Sequence, residues 1–556
     1  MHTRPALARA ALPMIIVGAA MALSPAAHAA LITVGPAAGC STNNLSLALS
    51  VAALNGTDFD EIRVMEGTYT GVALSTSGIS YSLTGGYNHC QLGAQALGRT
   101  NLAGNFHDSV LSISGATNAY HNVTLSHLNI SNGGSSANTP LYGGGIRARD
   151  LRLVLEETTL LDNTTGTQGD GGGIRLERSS NGVSGILELQ RNVRVLGNAA
   201  RNGGGISMKN ASLRIRPDGT EIFDNSARFG GGGIHLDGAD LTVGSFGEPE
   251  NSNTASGLVI RDNRIIESTG AGGGLHAAGG LVDLRDTAFV GNRAPIGAGI
   301  YMDGGQLQIG RDSPGFSVAC PDTSPCMRFE NNWTGSACPD VLSNNSGGAI
   351  ALSNVRAFIH QTRFTGNCAQ SGAVLSASGS AVPAPAVDIE GILAHDNFNA
   401  GAWQPSISVT HGHDLRIRYS TLVRNWMRPA GSTNWELHSS LSSYVPTPES
   451  YIRTSIVDVA HSPPWGAAST GCGLLVNGNN VTFRDPVGGD FRLAATADGA
   501  VDRCSAAVAP IDYTDLERKP RCADSPAHAD GGGRCDIGAY EYDSDPFGYG
   551  FRSSFE

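Results

Sequence analysis

Gly203-Gly204-Gly205-Ile206-Ser207-Met208-Lys209, then Leu213-Arg214-Ile215, then Ile222-Phe223-Asp224-Asn225, then Gly231-Gly232-Gly233-Ile234-His235-Leu236: this stretch decides the fold. Apolar and polar residues alternate in three short runs, the period of strands that bury one face. Gly, Asn, Asp and Ser separate the runs, so one unit describes a coil of three strands and three turns. The next unit repeats the scheme with Ile234 and Leu236, Leu241 and Val243, and Leu258 and Ile260 before Asp262-Asn263. A helix would need apolar residues at three- and four-residue steps over longer windows, and the stretch lacks them.

Outward from this unit the tetrad recurs. Full copies end at Ile146, Ile174, Ile206 and Ile234, and looser ones at Leu275, Ile300, Ile350 and Val374. The successive spacings are 28, 32, 28, 41, 25, 50 and 24 residues, so the 50 reads as two units. Self-similarity at this period marks a solenoid in which each repeat buries its apolar face only against its neighbours. Coils of this kind stack as parallel strands about 4.8 Å apart. An Asn column accompanies the tetrads: Asn163, Asn198, Asn225, Asn263, Asn292, Asn367, Asn397 and Asn425. Asn tolerates the left-handed conformation, and stacked amides form ladders. A phosphate loop would occur once and open a helix, which this recurring element does not do.

Residues 1–29 read as a secretory signal: Arg4 and Arg9, the apolar stretch Ala11 to Leu23, then Ala27-His28-Ala29. No later run is long enough for a membrane helix. Residues 30–100 read as an N-terminal cap with the first coils. There Thr42, Leu45, Ala48, Leu49 and Ala52 make a helical stripe over 42–54, with Gly56 to stop it. Arg63-Val64 and Gly67-Thr68-Tyr69 begin the first strands. Residues 101–462 read as the repeat array, with an insertion at about 311–345, and 463–556 as a C-terminal cap and tail.

The ten cysteines are Cys40, Cys90, Cys320, Cys326, Cys338, Cys368, Cys472, Cys504, Cys522 and Cys535. An even number after a secretory signal argues for disulfides, and the lack of a Cys-x-x-Cys pair argues against zinc. Spacing does not fix the connectivity; pairing of sequence neighbours is the simplest arrangement. The formal charge is −12, or −14 once Arg4 and Arg9 leave with the signal, which disfavours nucleic acid and anionic membranes as partners. Only Lys209 and Lys519 are lysines, so lysine-based catalysis has little to work with.

The Gly-Gly-Gly-Ile and Asn units, the entry segment ending Gly85-Gly86-Tyr87, and the close Asp536-Ile537-Gly538-Ala539-Tyr540-Glu541 carry a family resemblance. Over roughly residues 40–541 the chain resembles secreted bacterial right-handed parallel β-helix proteins of the pectate-lyase-like superfamily. Its units are also similar to the Gly-Gly-Ala-Ile and Phe-x-x-Asn repeats of polymorphic outer-membrane proteins. The chain departs from that second group after the last coil, where its Cys- and Pro-rich segment is unlike a membrane barrel. The resemblance implies an all-β, right-handed, three-sided parallel β-helix solenoid with a short N-terminal capping helix and a disulfide-braced C-terminal cap. It also implies an extracellular, cell-surface or periplasmic location.

Function divides between two classes. The superfamily resemblance implies carbohydrate-active enzymes in many members, although a fold alone does not license an activity. A lyase would hold calcium between acidic residues and use an Arg base. The column Asp162, Asp224, Asp262 and Asp396 precedes the asparagines, with Gly197 and Gly291 interrupting it. Asp224 and Asp262, in adjacent coils, are the calcium candidates; a solvated turn explains the same residues. No other metal or cofactor is expected. A hydrolase would use paired aspartates and Gly-His-Gly, which Thr410-His411-Gly412-His413-Asp414 followed by Arg416 echoes without the paired aspartates. His411, His413, Asp414 and Arg416 are therefore candidates for proton transfer, and a polar coil turn accounts for them equally.

All five tryptophans, Trp333, Trp403, Trp426, Trp435 and Trp465, fall within residues 333–465. Aromatic faces suit sugar rings, which makes Trp403, Trp426 and Trp435 ligand-binding candidates; shielding of the last coils is the alternative. The favoured expectation is a binding or adhesion surface for polysaccharide or a cell-surface glycan. The competing one is a polysaccharide lyase or glycoside hydrolase acting on acidic glycans.

Overall fold

The computed structural model describes residues 29–542 apart from 56–58, 92–93, 117, 135–141, 245–256, 311–326, 336–337, 339–344, 380–384, 402–403, 411–413, 428–435, 438–450, 454, 458–474, 477–480, 495, 497–499, 502–514 and 517–534. Among these residues three long parallel sheets run side by side. The first holds fourteen strands, from Leu31–Val34 to Tyr451–Arg453. The second holds fourteen, from Gly67–Thr70 to Leu475–Val476, and the third eleven, from Leu74–Ser77 to Ile407–Val409. The chain visits third, first and second sheet in turn, as in Ile206–Lys209, Ser212–Ile215 and Glu221–Phe223. Parallel crossovers of this kind are right-handed. The molecule is a right-handed, three-sided parallel β-helix.

The register is strict because the inner residues require it. Leu111, Ile146, Ile174, Ile206, Ile234, Leu275, Ile300, Ile350, Leu375 and Ile407 oppose one another coil after coil. All are buried in one continuous core, where each contributes about 2 kcal/mol. A slip of one residue would turn the column out to solvent. The second sheet has its own column, in which Phe289, Phe329 and Phe364 stack nearly parallel with centroids 4.9 and 5.1 Å apart.

The tetrad serves the corner into the third sheet. Gly203 takes φ 62°, and a Cβ on Gly204 would lie 2.5 Å from the Gly232 carbonyl oxygen of the next coil. A side chain on Gly204 would collide with the Ser226 and Gly232 carbonyls of that coil.

Four sequence expectations need correction. Ile300 pairs directly with Ile350, so the 50-residue spacing is one coil with an insertion rather than two units. The residue in register at the next corner is Leu375, not Val374. The capping helix spans Leu45–Leu54 with Asn44 as its N-cap, and Thr42 instead bridges to Val34. The first strand is Leu31–Val34, ahead of the helix, pairing with Asp60–Met65.

Leu45, Ala48, Leu49 and Ala52 form the helix's buried face, as the stripe implied. Cys40 pairs with Cys90 and Cys338 with Cys368, both in neighbour order. Cys535 is disulfide-bonded, while Cys320, Cys326, Cys472, Cys504 and Cys522 lie outside the described residues. At the far end an antiparallel hairpin, Phe483–Asp485 with Asp490–Leu493, lies on the outer face of the second sheet. Phe491, Leu493, Ile537 and Ala539 make a second core there with Leu393, Val423 and Ile456.

Candidate functional site at the asparagine corner

The corner between the second and third sheets is built on a buried amide ladder. Asn225 Nδ2 donates to Asn263 Oδ1 at 3.0 Å and to the Val195 carbonyl at 2.9 Å. Its Oδ1 accepts from Asn198 Nδ2 at 2.9 Å and from the Asn198 backbone N–H at 3.0 Å. Both amide protons and both lone pairs are satisfied, which a buried amide requires. The pattern continues through Asn292, Asn332, Asn367, Asn397 and Asn425. Asn332 is a member the sequence reading missed, because Asn331-Asn332 offers two asparagines and the insertion obscured the count.

The left-handed residue is the one before each ladder asparagine, not the asparagine itself. Asp162, Gly197, Asp224, Asp262, Gly291, Asn331, Gly366, Asp396 and Arg424 all have φ between 51° and 67°. Glycine interrupts the Asp column because both residues satisfy the same backbone demand. Asp262 also pairs with Arg261 at 3.1 Å. Among the described residues no group of three or more His, Cys, Asp or Glu side chains is arranged to hold a metal.

The register stacks the residues that follow the ladder asparagines into an axial track, part-exposed or exposed except at Cys368, which is buried in its disulfide with Cys338. Arg264 opposes Arg293, then come Trp333, Cys368, Phe398 and Trp426. The Arg293 guanidinium lies 4.9 Å from the Trp333 ring centroid. Arg264 and Arg293 are exposed, and among the described residues neither has an acidic partner. Elsewhere arginines are committed across coils, as in Arg152–Glu188, Arg191–Glu156 and Arg194–Glu221. Trp426, one of the aromatic candidates, lies on this track in line with Trp333 and Phe398. The residue following each Asn was the signal that could have found them. Trp403 and Trp435 lie outside the described residues.

At the Trp426 end the strand edges converge on a polar cluster. His395 Nδ1 and Asp396 Oδ2 are 2.7 Å apart, and Arg424 Nη2 donates to both Asp396 oxygens at 2.8 and 2.6 Å. Arg363 Nη2 lies 3.0 Å and Thr365 Oγ1 3.1 Å from His395 Nε2. Burial would raise Asp396, but hydrogen bonds from His395 and Arg424 outweigh it and hold the carboxyl at about 2. Burial pushes His395 below its ordinary value, against the pull of Asp396 and with the help of Arg363.

The other candidates are dispersed. Asp414 and Arg416 lie on the first sheet at the start of Asp414–Arg418, with Arg416 near both Asp414 at 3.6 Å and Asp388 at 3.8 Å. His411 and His413 fall outside the described residues. On the third sheet His235, His276 and Tyr301 stack edge to face across adjacent coils, with centroids 5.1 and 5.0 Å apart. Desolvation brings His235 down to about 4 and His276 to about 3, so both are neutral near pH 7.

No protein-family model and no curated protein matches the chain. Among solved structures the chain is similar to the crystal structure of the pectin methylesterase from Aspergillus niger in deglycosylated form. The identity is 11%, the TM-score 0.19, and the match covers 60% of this chain and 86% of that one. A superposition of that score carries no weight for function.

Proposed function

We propose that the axial track at the asparagine corner is a binding surface for polysaccharide, with Trp333, Phe398 and Trp426 as sugar platforms. The observation that carries this reading is the register that lines these rings up on one edge with Arg264 and Arg293. A linear polymer lying along the axis would meet these side chains at coil spacings of about 4.8 Å, with the buried Cys368 between Trp333 and Phe398. Flat aromatic faces pack on the C–H groups of sugar rings, while guanidiniums with no acidic partner among the described residues favour glycans bearing carboxylate or sulfate. A disulfide-linked chain fits an oxidising, extracellular setting. Among the described residues no helix is long and apolar enough to cross a membrane.

The test is retention of the protein on immobilised neutral and anionic polysaccharides. Trp333→Ala with Trp426→Ala should weaken retention about thirtyfold, the scale of losing one aromatic hot spot. Arg264→Ala with Arg293→Ala should weaken it on anionic polymers alone. Retention unchanged by the tryptophan pair would sink the reading. Release of reducing ends or unsaturated products, assayed with calcium and with chelator, would replace it by the enzyme reading.

A further inference from the structure

We propose that the C-terminal hairpin spanning 483–493 is a pH-released cover over the His395 cluster, docked while that imidazole is neutral and freed when Nε2 takes a proton. The inference stands on the contacts of the hairpin and is independent of the glycan reading.

The tautomer follows from the partners. A guanidinium only donates, so His395 Nε2, with Arg363 Nη2 at 3.0 Å and Nε at 3.3 Å, must accept. The ring proton is then on Nδ1, donated to Asp396 at 2.7 Å. Protonating Nε2 would set an N–H against N–H donors and place two cations in contact. Arg363 would be pushed from its place beside the ring, where the hairpin turn lies next to both groups. A Cβ at Gly489, in the hairpin turn, would lie 3.8 Å from Arg363 Nη2 and 3.9 Å from His395 Cε1. Phe491 lies on the imidazole with centroids 4.7 Å apart, and its ring centroid is 5.3 Å from the Arg424 guanidinium carbon.

The charged groups around His395 come from its own sheet and from the hairpin. From its own sheet it faces Arg363, Asp396 and Arg424, while Val423 stands beside it in register. From the hairpin come Asp490, paired with Arg492 at 2.6 Å, Asp485, which accepts from the Gly488 N–H, and Arg484, which donates to the Leu493 carbonyl. Asp396, at about 2, stays ionised through the acidic range in question. A histidine held below 6.5 when covered binds more protons when uncovered, so docking is strongest above that pH and weakens beneath it. Release would bare Leu393 and Val423 beside Trp426.

Hydrogen exchange of the full secreted protein, read by mass spectrometry on peptides spanning 481–494 and corrected for intrinsic rates, tests this at pH values from about 7.5 to about 4.5. Hairpin protection should fall about tenfold per pH unit in the acidic part of that range, the limiting slope for one proton. Peptides from the central coils should keep theirs. His395→Gln retains an acceptor for Arg363 and a donor for Asp396 without titrating, and should flatten the profile. A hairpin equally protected at every pH, or one lost only together with the coils, overturns the proposal, as does a His395→Gln variant that opens like the native chain. If that variant fails to fold, the native profile decides alone.

Discussion

In the coils around residues 160–230 the residue after each ladder asparagine is small, Thr164, Ala199 or Ser226, whereas from Arg293 onward it is Trp333, Cys368, Phe398 or Trp426. The interior differs in parallel: Leu160, Val195 and Ile222 fill the second-sheet column early, and Phe289, Phe329 and Phe364 fill it later. The early corners are framed by full Gly tetrads, the later ones by Gly347-Gly348-Ala349 and Gly372-Ala373-Val374. Backbone register is the same in both regions, because it is fixed by inner apolar columns and by amides that satisfy one another. The outward position after the asparagine is not used by that scaffold. Side chains there are free to be large, aromatic or charged, and in the later coils all but the disulfide-bonded Cys368 are.

If the scaffold is shared, breaking the ladder should cost the same in either region. Asn225→Ala and Asn367→Ala each remove a side chain that holds two donors and two acceptors, so each should cost about 3 kcal/mol or more in denaturant unfolding. A loss confined to one region would show that the two halves are held differently. The corner offers a sharper contrast. Gly204→Ala forces a methyl against the neighbouring backbone and should cost about 2 kcal/mol, whereas Ala373→Gly should cost under about 1 kcal/mol. Comparable losses would mean that the later corners are as crowded as the early ones. The smallest effect is expected at the left-handed position. Asp262→Gly reproduces what Gly291 already does one coil on and should change stability by no more than about 0.5 kcal/mol. A melting temperature that rises with calcium in the native chain but not in this variant would revive the metal candidate Asp262 with Asp224.

Much of the fold was legible because a repeat states its own period. The alternation around Ile206 and Met208, Leu213 and Ile215, and Ile222 named strands, and the tetrads named a corner shared by every coil. Two details were hidden for a physical reason. Spacing counts residues, whereas pairing counts strands, so the stretch between Ile300 and Ile350 looked like two units although one coil with an insertion fills it. Asp and Gly looked like different kinds of residue, a carboxylate and a hinge, until the backbone showed both in the same left-handed conformation. The candidate site was less legible. Trp426 stood out by its chemistry, but nothing in the linear order puts it in line with Trp333, Phe398 and two arginines.

The sequence by itself determined the coil, its three strands, the buried columns, the disulfide-rich character and the capping helix. Those follow from short-range alternation and from residue chemistry that does not depend on what lies in the next coil. Only the tertiary structure decided which residues become axial neighbours, such as Arg293 with Trp333, or His395 with Arg363 and the hairpin's Phe491. Stacking brings together residues about thirty or more positions apart, across insertions of unequal length. The hairpin closes over its cluster from nearly a hundred residues away. Distances of that kind are set by register and packing, and no local pattern carries them.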